Sequence, residues 1–243
     1  MELNRMCLFV LSVLMVFQAS VTDADLVITE AMSDSAHASG LANGDWWELT
    51  NTGDSDIDLT GYYWDDDGAM GNDGALFGNI EIAAGESIVI VSEDDSAAFE
   101  AAWGGGFNAY GELDFTGPDT FSGLSSNSDQ IEVWDSDPNT NSDANLVASV
   151  SFGAATEGFS FEWDRLGNFL GQSAAGVHGA FQAIDDGEEG DRIPNDGIDI
   201  GSPGVSVVPE PTAGLVLVGC SLLILRRQPR KTLASCNALD FKA

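Results

Sequence analysis

Between Asp25 and Val207 the chain has no cysteine and no lysine. Its three cysteines, Cys7, Cys220 and Cys236, all lie nearer the ends. The middle segment therefore has no disulfide and no thiolate metal site to hold it together. Positive charge is almost as scarce. Against 40 Asp and Glu stand 8 Lys and Arg, a formal net charge of −32. Only Arg165 and Arg192 fall in the middle. Binding nucleic acid requires a basic footprint to neutralise phosphates, so nucleic-acid partners are excluded. Histidine is limited to His37 and His178, each isolated in sequence, which gives zinc no ligand set. No G-x-S-x-G nucleophile elbow occurs, and neither histidine is tied to a serine by a motif. A repeat of fixed length and a long helical period are also missing.

Disorder is not the consequence of this acidity. Disordered acidic chains are poor in apolar and aromatic residues. Here 44% of residues are hydrophobic, with 6 Trp and 13 Phe. The middle is long enough to bury a core, and the acids belong to its loops and surface. Such a surface repels anionic headgroups and favours solubility in salty water.

The two ends read as addresses. At the front, Arg5 precedes an apolar stretch, Met6–Phe17, and small residues follow, with a candidate cleavage site at Thr22-Asp23-Ala24. That is the layout of a signal peptide, and the stretch is short for a retained anchor. At the back, Ala213–Leu225 is apolar. As a helix it would extend roughly 20 Å, against a bilayer core of about 30 Å. Length alone would suit a buried core helix. Its neighbours point to a membrane instead: Pro209 and Pro211 stand before it, and Arg226, Arg227, Arg230 and Lys231 after it. Those cations hold the C-terminus in the cytoplasm and place the acidic body outside.

The run Val208-Pro209-Glu210-Pro211, the apolar stretch and Arg226-Arg227 together resemble the PEP-CTERM sorting signal of Gram-negative-type bacteria. The resemblance implies recognition by exosortase, a membrane transpeptidase-like enzyme, through Pro209, Glu210, Pro211, Arg226 and Arg227. It makes the chain a substrate of a sorting system, delivered to the cell surface or the extracellular matrix.

The middle is a series of short β-prone runs separated by Gly, Asp, Asn and Ser. Leu26–Glu30, Trp46–Thr50 and Ile57–Thr60 come first, the last with the period of a half-buried strand and extended by Tyr62–Trp64. In Asn79–Val91, two apolar runs flank Ala83-Ala84-Gly85-Glu86, a pattern that predicts a hairpin. Ala97–Trp103 is the one helical candidate, and Gln130–Trp134, Leu146–Phe152 and Gly158–Trp163 are further strands. Short strands at this spacing predict an all-β sandwich. Asp185–Val207 reads as an acidic, Gly-rich linker. The order is thus a signal peptide (1–24), a β-sandwich domain (25–184), a linker (185–207), a sorting and anchor segment (208–231) and a cytoplasmic tail (232–243).

Leu26–Glu30, Asp45–Asn51, Ile57–Gly61, Ile82–Val91, Gly123–Asn127, Asp129–Trp134 and Val147–Phe152, in that order, resemble a lamin-tail-type domain. The resemblance covers roughly Asp25–Trp163. It implies an immunoglobulin-like β-sandwich without catalytic residues of its own, here with one short helical insertion between the signal helix and a C-terminal transmembrane helix. Glu48 and Asn51 have structural uses in that setting: a strand carboxylate accepts backbone N–H groups, and Asn before Thr52-Gly53 caps a turn.

For chemistry, the best metal candidate is the loop Asp135-Ser-Asp-Pro-Asn-Thr-Asn-Ser-Asp143. Asp135, Asp137, Asn139, Asn141 and Asp143 put a side-chain oxygen at every second position, which suits Ca²⁺. Thr140 and Leu146 stand where an EF-hand has Gly and Glu, so the competing reading is a polar hairpin loop. Asp65-Asp66-Asp67-Gly68 and Asp185–Asp191 are weaker versions. The aromatics Trp46, Trp47, Tyr62, Tyr63 and Trp64 either fill the core or, on outward faces, stack on sugar rings. Two functions are compatible with these features. One is an exported, non-catalytic protein presenting its acidic sandwich for adhesion or matrix assembly. The other is a secreted, carboxylate-dependent polysaccharide hydrolase or carbohydrate-binding module, the hydrolase requiring two carboxylates about 5–10 Å apart in an open cleft.

Overall fold

The computed structural model describes residues 26–36, 44–66, 74–92, 96–116, 123–183 and 199–209. Residues 1–25, where a signal peptide is expected, residues 184–198, which include most of the expected linker, and residues 210–243, with most of the expected sorting and anchor segment, lie outside them. Contacts divide the chain into two compact units, Met1–Val208 and Pro209–Ala243, and the sandwich belongs to the first.

In chain order the strands are β1 (Leu26–Met32), β2 (Trp46–Asn51), β3 (Ile57–Asp58), β4 (Tyr63–Asp65), β5 (Ala75–Phe77), β6 (Glu81–Ile82) and β7 (Ser87–Val91). The helix α1 (Ser96–Ala102) is next, then β8 (Asn108–Tyr110), β9 (Phe115–Thr116), β10 (Asp129–Trp134), β11 (Leu146–Phe152) and β12 (Phe161–Trp163). The last are β13 (Phe169–Gln172), β14 (Phe181–Gln182) and β15 (Ile200–Gly201). A six-stranded sheet runs β13-β12-β1-β2-β7-β8, and a five-stranded sheet runs β11-β10-β4-β5-β9. The expected all-β sandwich with one short helix is present.

Period-2 alternation sorts the side chains of the larger sheet. Ile28, Trp47, Leu49, Ile88 and Ile90 face the five-stranded sheet and pack in one cluster with Trp64, Phe77, Phe115, Ile131 and Val133. Trp47 tilts against Trp64 at 5.3 Å between ring centroids. The other face is covered too. Met32, Trp46, Val89 and Val91 form a second cluster with Phe99, Ala102 and Trp103 from α1 and its C-terminal end, and with Ala109 and Ala183. Trp46 meets Phe99 and Trp103 edge-on at 5.8 and 5.7 Å. Full burial of such side chains is worth about 1.5–3 kcal/mol each. That explains why β1, β2 and β7 are buried along their whole length.

Of the two readings of the aromatics, filling the core is the one found: Trp46, Trp47, Tyr63 and Trp64 are all buried. Several expectations are corrected. The predicted hairpin across Ala83–Glu86 does not form. β6 pairs with β3 in a separate ribbon, whereas β7 enters the large sheet beside β2. The turn closes on itself, Glu86 N donating to Ala83 O at 3.0 Å, but it also bonds to the end of β2 and so hands the chain over between sheets: Gly85 N donates to Asn51 O and Asn51 N to Glu86 O. Gly85 has φ 80°, which its missing Cβ permits. Similarly, Ile57–Asp58 and Tyr63–Asp65 are not one strand, since a turn at Gly61 (φ 84°) sends them to different sheets. The helix lies one residue earlier than expected.

Residues 199–207, read as linker, are bound into the fold. β15 pairs with β14, Ile200 bridges Phe159 and Val207 bridges Asp164, both in parallel. This strap runs across the second face of the large sheet, beside the helix. Among the described residues no helix is long and apolar enough to cross a membrane.

Candidate functional site

Under the strap lies a row of three glutamates. Glu30 of β1 stands opposite Glu48 of β2 on one side and Glu162 of β12 on the other. Their exposures are 1%, 0% and 3%. A bulge between Ile28 and Glu30 shifts the register there, and with it Thr29 joins Glu30 on the same face. A chain of hydroxyls results: Thr29 Oγ1 lies 2.7 Å from Thr50 Oγ1, which lies 2.7 Å from Ser87 Oγ.

Each carboxylate has its own partners. Glu48 accepts from Thr29 Oγ1 through Oε1 and from Gly204 N through Oε2, the latter at 2.6 Å. Glu30 Oε1 accepts from Ser160 Oγ and from Ser202 N, and Oε2 accepts from Ser202 Oγ, the Ser202 contacts both at 2.8 Å. The strap is thus clamped by backbone and hydroxyl donors of Ser202 and Gly204 to two buried acids. Glu162 Oε2 is 3.0 Å from His178 Nδ1, while its Oε1 is buried without a hydrogen-bond partner. Gly204 fits the strap's close approach: its φ is +81°, and a Cβ there would sit 2.4 Å from that of Phe107.

Like charges directly opposite on neighbouring strands repel, and here water is excluded as well. Burial, then the neighbouring Glu48, raise the Glu30 carboxyl well above its ordinary range. Burial pushes Glu48 up to about 7, against the opposing hydrogen bonds from Thr29 and Gly204. Glu30 and Glu48 therefore keep protons at neutral pH that ordinary carboxyls would have lost. A third perturbed acid, Asp45, lies apart from this row. Burial raises it to about 7, and its Oδ2 accepts Leu124 N at 2.6 Å. Chemically, the row can store protons and fasten the strap. Sheet and strap bury Glu30 and Glu48, and Glu162 is buried beside the partly exposed His178.

The sequence pattern marks Glu48 as a structural acceptor of backbone N–H bonds and Asn51 as a turn cap, and both are found so. Asn51 Oδ1 accepts Gly53 N, and its Nδ2 donates to Ser55 O and Ile82 O. Glu30, Glu162 and His178 escape the sequence reading as a group. The signal is present in LVITEAM and WWELTN, where one acid interrupts each otherwise apolar or aromatic strand.

The loop 135–143 closes the β10–β11 hairpin, and its polar groups turn largely on the loop itself. Asp135 accepts Asn145 N at 2.9 Å and Nδ2 at 2.7 Å, Asp137 accepts Asn139 N and Thr140 Oγ1, and Asn141 Oδ1 accepts Asp143 N. Asn139 Nδ2 donates to Tyr63 Oη at 3.3 Å. Among the described residues no group of three or more His, Cys, Asp or Glu converges on a metal position. Asp65 is buried in β4, Asp67 and Gly68 lie outside the described residues, and so do Asp185–Asp191 and the sorting-signal residues Glu210, Pro211, Arg226 and Arg227.

An open pocket of about 390 Å³ lies near the strap, lined by Glu86, Ser87, Phe107, Asn108, Arg165 and three glycines. Arg165 donates from Nε to Ser206 Oγ at 2.8 Å and from Nη2 to Gly85 O at 2.9 Å, so neutral acceptors hold its guanidinium.

A comparison with curated proteins finds no matching relative. The family model described as Lamin Tail Domain matches residues 19–154. That span exceeds half of the chain and ends short of β12, so the model covers most of both sheets but not the strap. The chain belongs to the lamin tail domain family.

Proposed function

We propose that this protein is exported, held at a membrane by its C-terminal apolar run, and presents a non-catalytic acidic sandwich for adhesion or matrix assembly. An exosortase-type enzyme processes its tail at the motif Val208–Pro211. The observation that carries the non-catalytic part is the burial of Glu30, Glu48 and Glu162. These acids neighbour one another across the strands, as paired carboxylate chemistry would need, yet all three are buried, and Glu30 and Glu48 are fastened to a strap instead of lining a cleft. The export part rests on the leader and the tail sequence. Deleting Pro209–Lys231 is expected to release the protein from its native cells into the medium. Retention of the truncated chain with the cells would contradict the anchor.

A second reading, a carbohydrate-binding module, is favoured by the pocket at Arg165. It places an aromatic ring, an amide, a carboxylate and a guanidinium around one opening. Titration of a polysaccharide from the native matrix, with loss of binding in Arg165→Ala, separates this reading from the first.

A further inference from the structure

Eight large apolar side chains are exposed among the described residues, and six come from two stretches. Leu166, Phe169, Leu170 and Val177 belong to the first, and Val205 and Val208 to the second. Both stretches are free of acid: residues 165–184 and 200–209 contain no Asp or Glu, in a chain that has 40. The fold brings the two stretches together, although Phe169 itself turns to the inter-sheet side, its ring against Phe161 and Trp163 at 6.3 and 5.5 Å between centroids. Val207 bridges Asp164 in parallel, and Arg165 N donates to Val207 O at 2.9 Å. A Cβ at Gly179, two residues from Val177, would lie 3.1 Å from Val205 Cγ1. Leu166 occupies the tip of the turn into β13, the edge strand of the large sheet. Asp164, which begins the turn, is buried, its carboxylate accepting Leu166 N and Asn168 N at 2.9 Å.

Single exposed apolar residues are ordinary, but a contiguous apolar rim on an otherwise acidic body marks a contact surface. An unprotected apolar edge strand is also a liability that one acid would have blunted. The occupant is fixed by where the chain leaves this surface. Val208 itself belongs to the rim, and five Cα steps, at most roughly 18 Å, separate it from Ala213, the start of the apolar run. Whatever solvent that run enters is within reach of the rim. The charge pattern agrees. The acidic body is repelled by headgroups, and the acid-free face carries Arg165, the sole Lys or Arg among the described residues.

We propose that the face built from the turn before β13, the loop at Val177 and residues 205–208 is a membrane-contact surface, resting at the polar–apolar boundary of a lipid bilayer. It rests on the reading that the C-terminal run enters a bilayer.

The test uses the full chain, with Cys7, Cys220 and Cys236 replaced by serine, reconstituted into phosphatidylcholine vesicles. Nitroxide labels are attached to cysteines introduced one at a time as Leu166→Cys, Leu170→Cys, Val208→Cys and, as a control, Asn141→Cys. Flotation establishes membrane association, and near-UV circular dichroism establishes that each variant is folded. Collision with oxygen relative to a water-soluble nickel complex then reports depth. The expected ratio is several-fold higher at positions 166, 170 and 208 than at 141. Chains that float but give the control's ratio at all three positions overturn this inference and leave the anchor intact. Chains that do not float overturn both. Dipolar broadening between labels at 166 on different molecules would make the face an interface between copies, which also overturns the proposal.

Discussion

Replacing Glu48 by glutamine tests the buried row directly. In the folded chain the Glu48 carboxyl stands at about 7, against an ordinary value of 4.5. A carboxyl raised by folding binds its proton more tightly in the native state than in the unfolded one. Its contribution to stability is fully present below about 4.5 and is lost as pH rises through about 7. The difference corresponds to about 3 kcal/mol for this group alone. Glu30 shifts in the same direction, with Glu48 as its second cause. General repulsion in a chain of net charge −32 also weakens the fold as pH rises, so the parent's slope alone is not diagnostic. Glu48→Gln isolates the row, because the amide is close in shape to the protonated acid and carries no charge at any pH. Thr29 Oγ1 can turn its proton toward Thr50 to accept from the new amide. Urea unfolding at pH 5 is expected to find the two proteins alike. Between pH 5 and 8 the parent should lose about 3 kcal/mol more than the variant, a relative midpoint shift of about 1–2 M urea. Parallel losses in the two proteins would refute a protonated carboxyl at position 48.

The strap and the turns give further expected outcomes. Gly204→Ala imposes a Cβ on a residue with φ +81° and on Phe107 at 2.4 Å, and should cost about 2–5 kcal/mol in urea unfolding. Asn51→Ala orphans Gly53 N, Ser55 O and Ile82 O around a fully buried position, with an expected loss of about 3 kcal/mol by the same assay. At the loop 135–143, Asp135 and Asp137 are already satisfied by amide and hydroxyl donors, so thermal melts with Ca²⁺ and with chelator are expected to coincide. A Ca²⁺-dependent rise in Tm that disappears in Asp137→Asn would instead assign the ion to this loop.

The strands are legible in the sequence because their apolar residues recur with period 2 between Gly, Asp and Asn turns. Leu146–Phe152 has the bounds its pattern predicts, and Phe99 and Trp103, spaced four apart, locate the helix to within a residue. The second buried face is not legible. Alternation indicates that a strand has two faces, but not whether the far one meets water. Trp46, Met32 and Val91 signal burial only when combined with a helix and a strap that arrive from distant parts of the chain. The hairpin at Ala83–Glu86 fails for a related reason: turn chemistry fixes a reversal but not which neighbour the next strand joins. The strap is hidden by composition. Its Gly and Pro residues read as linker, yet Gly204 is there to pass close to Phe107, and the backbone N–H of Gly204 and the Ser202 N–H and hydroxyl are what the buried acids need.

The most direct test of export, on which the proposed function rests, is the intact mass of the protein isolated from its native cells. Export through the leader predicts a chain that begins near Asp25, with the first 24 residues removed. A mass that includes Met1 and the apolar stretch after it, for protein recovered from the cytosol, would contradict export and the membrane-contact surface with it.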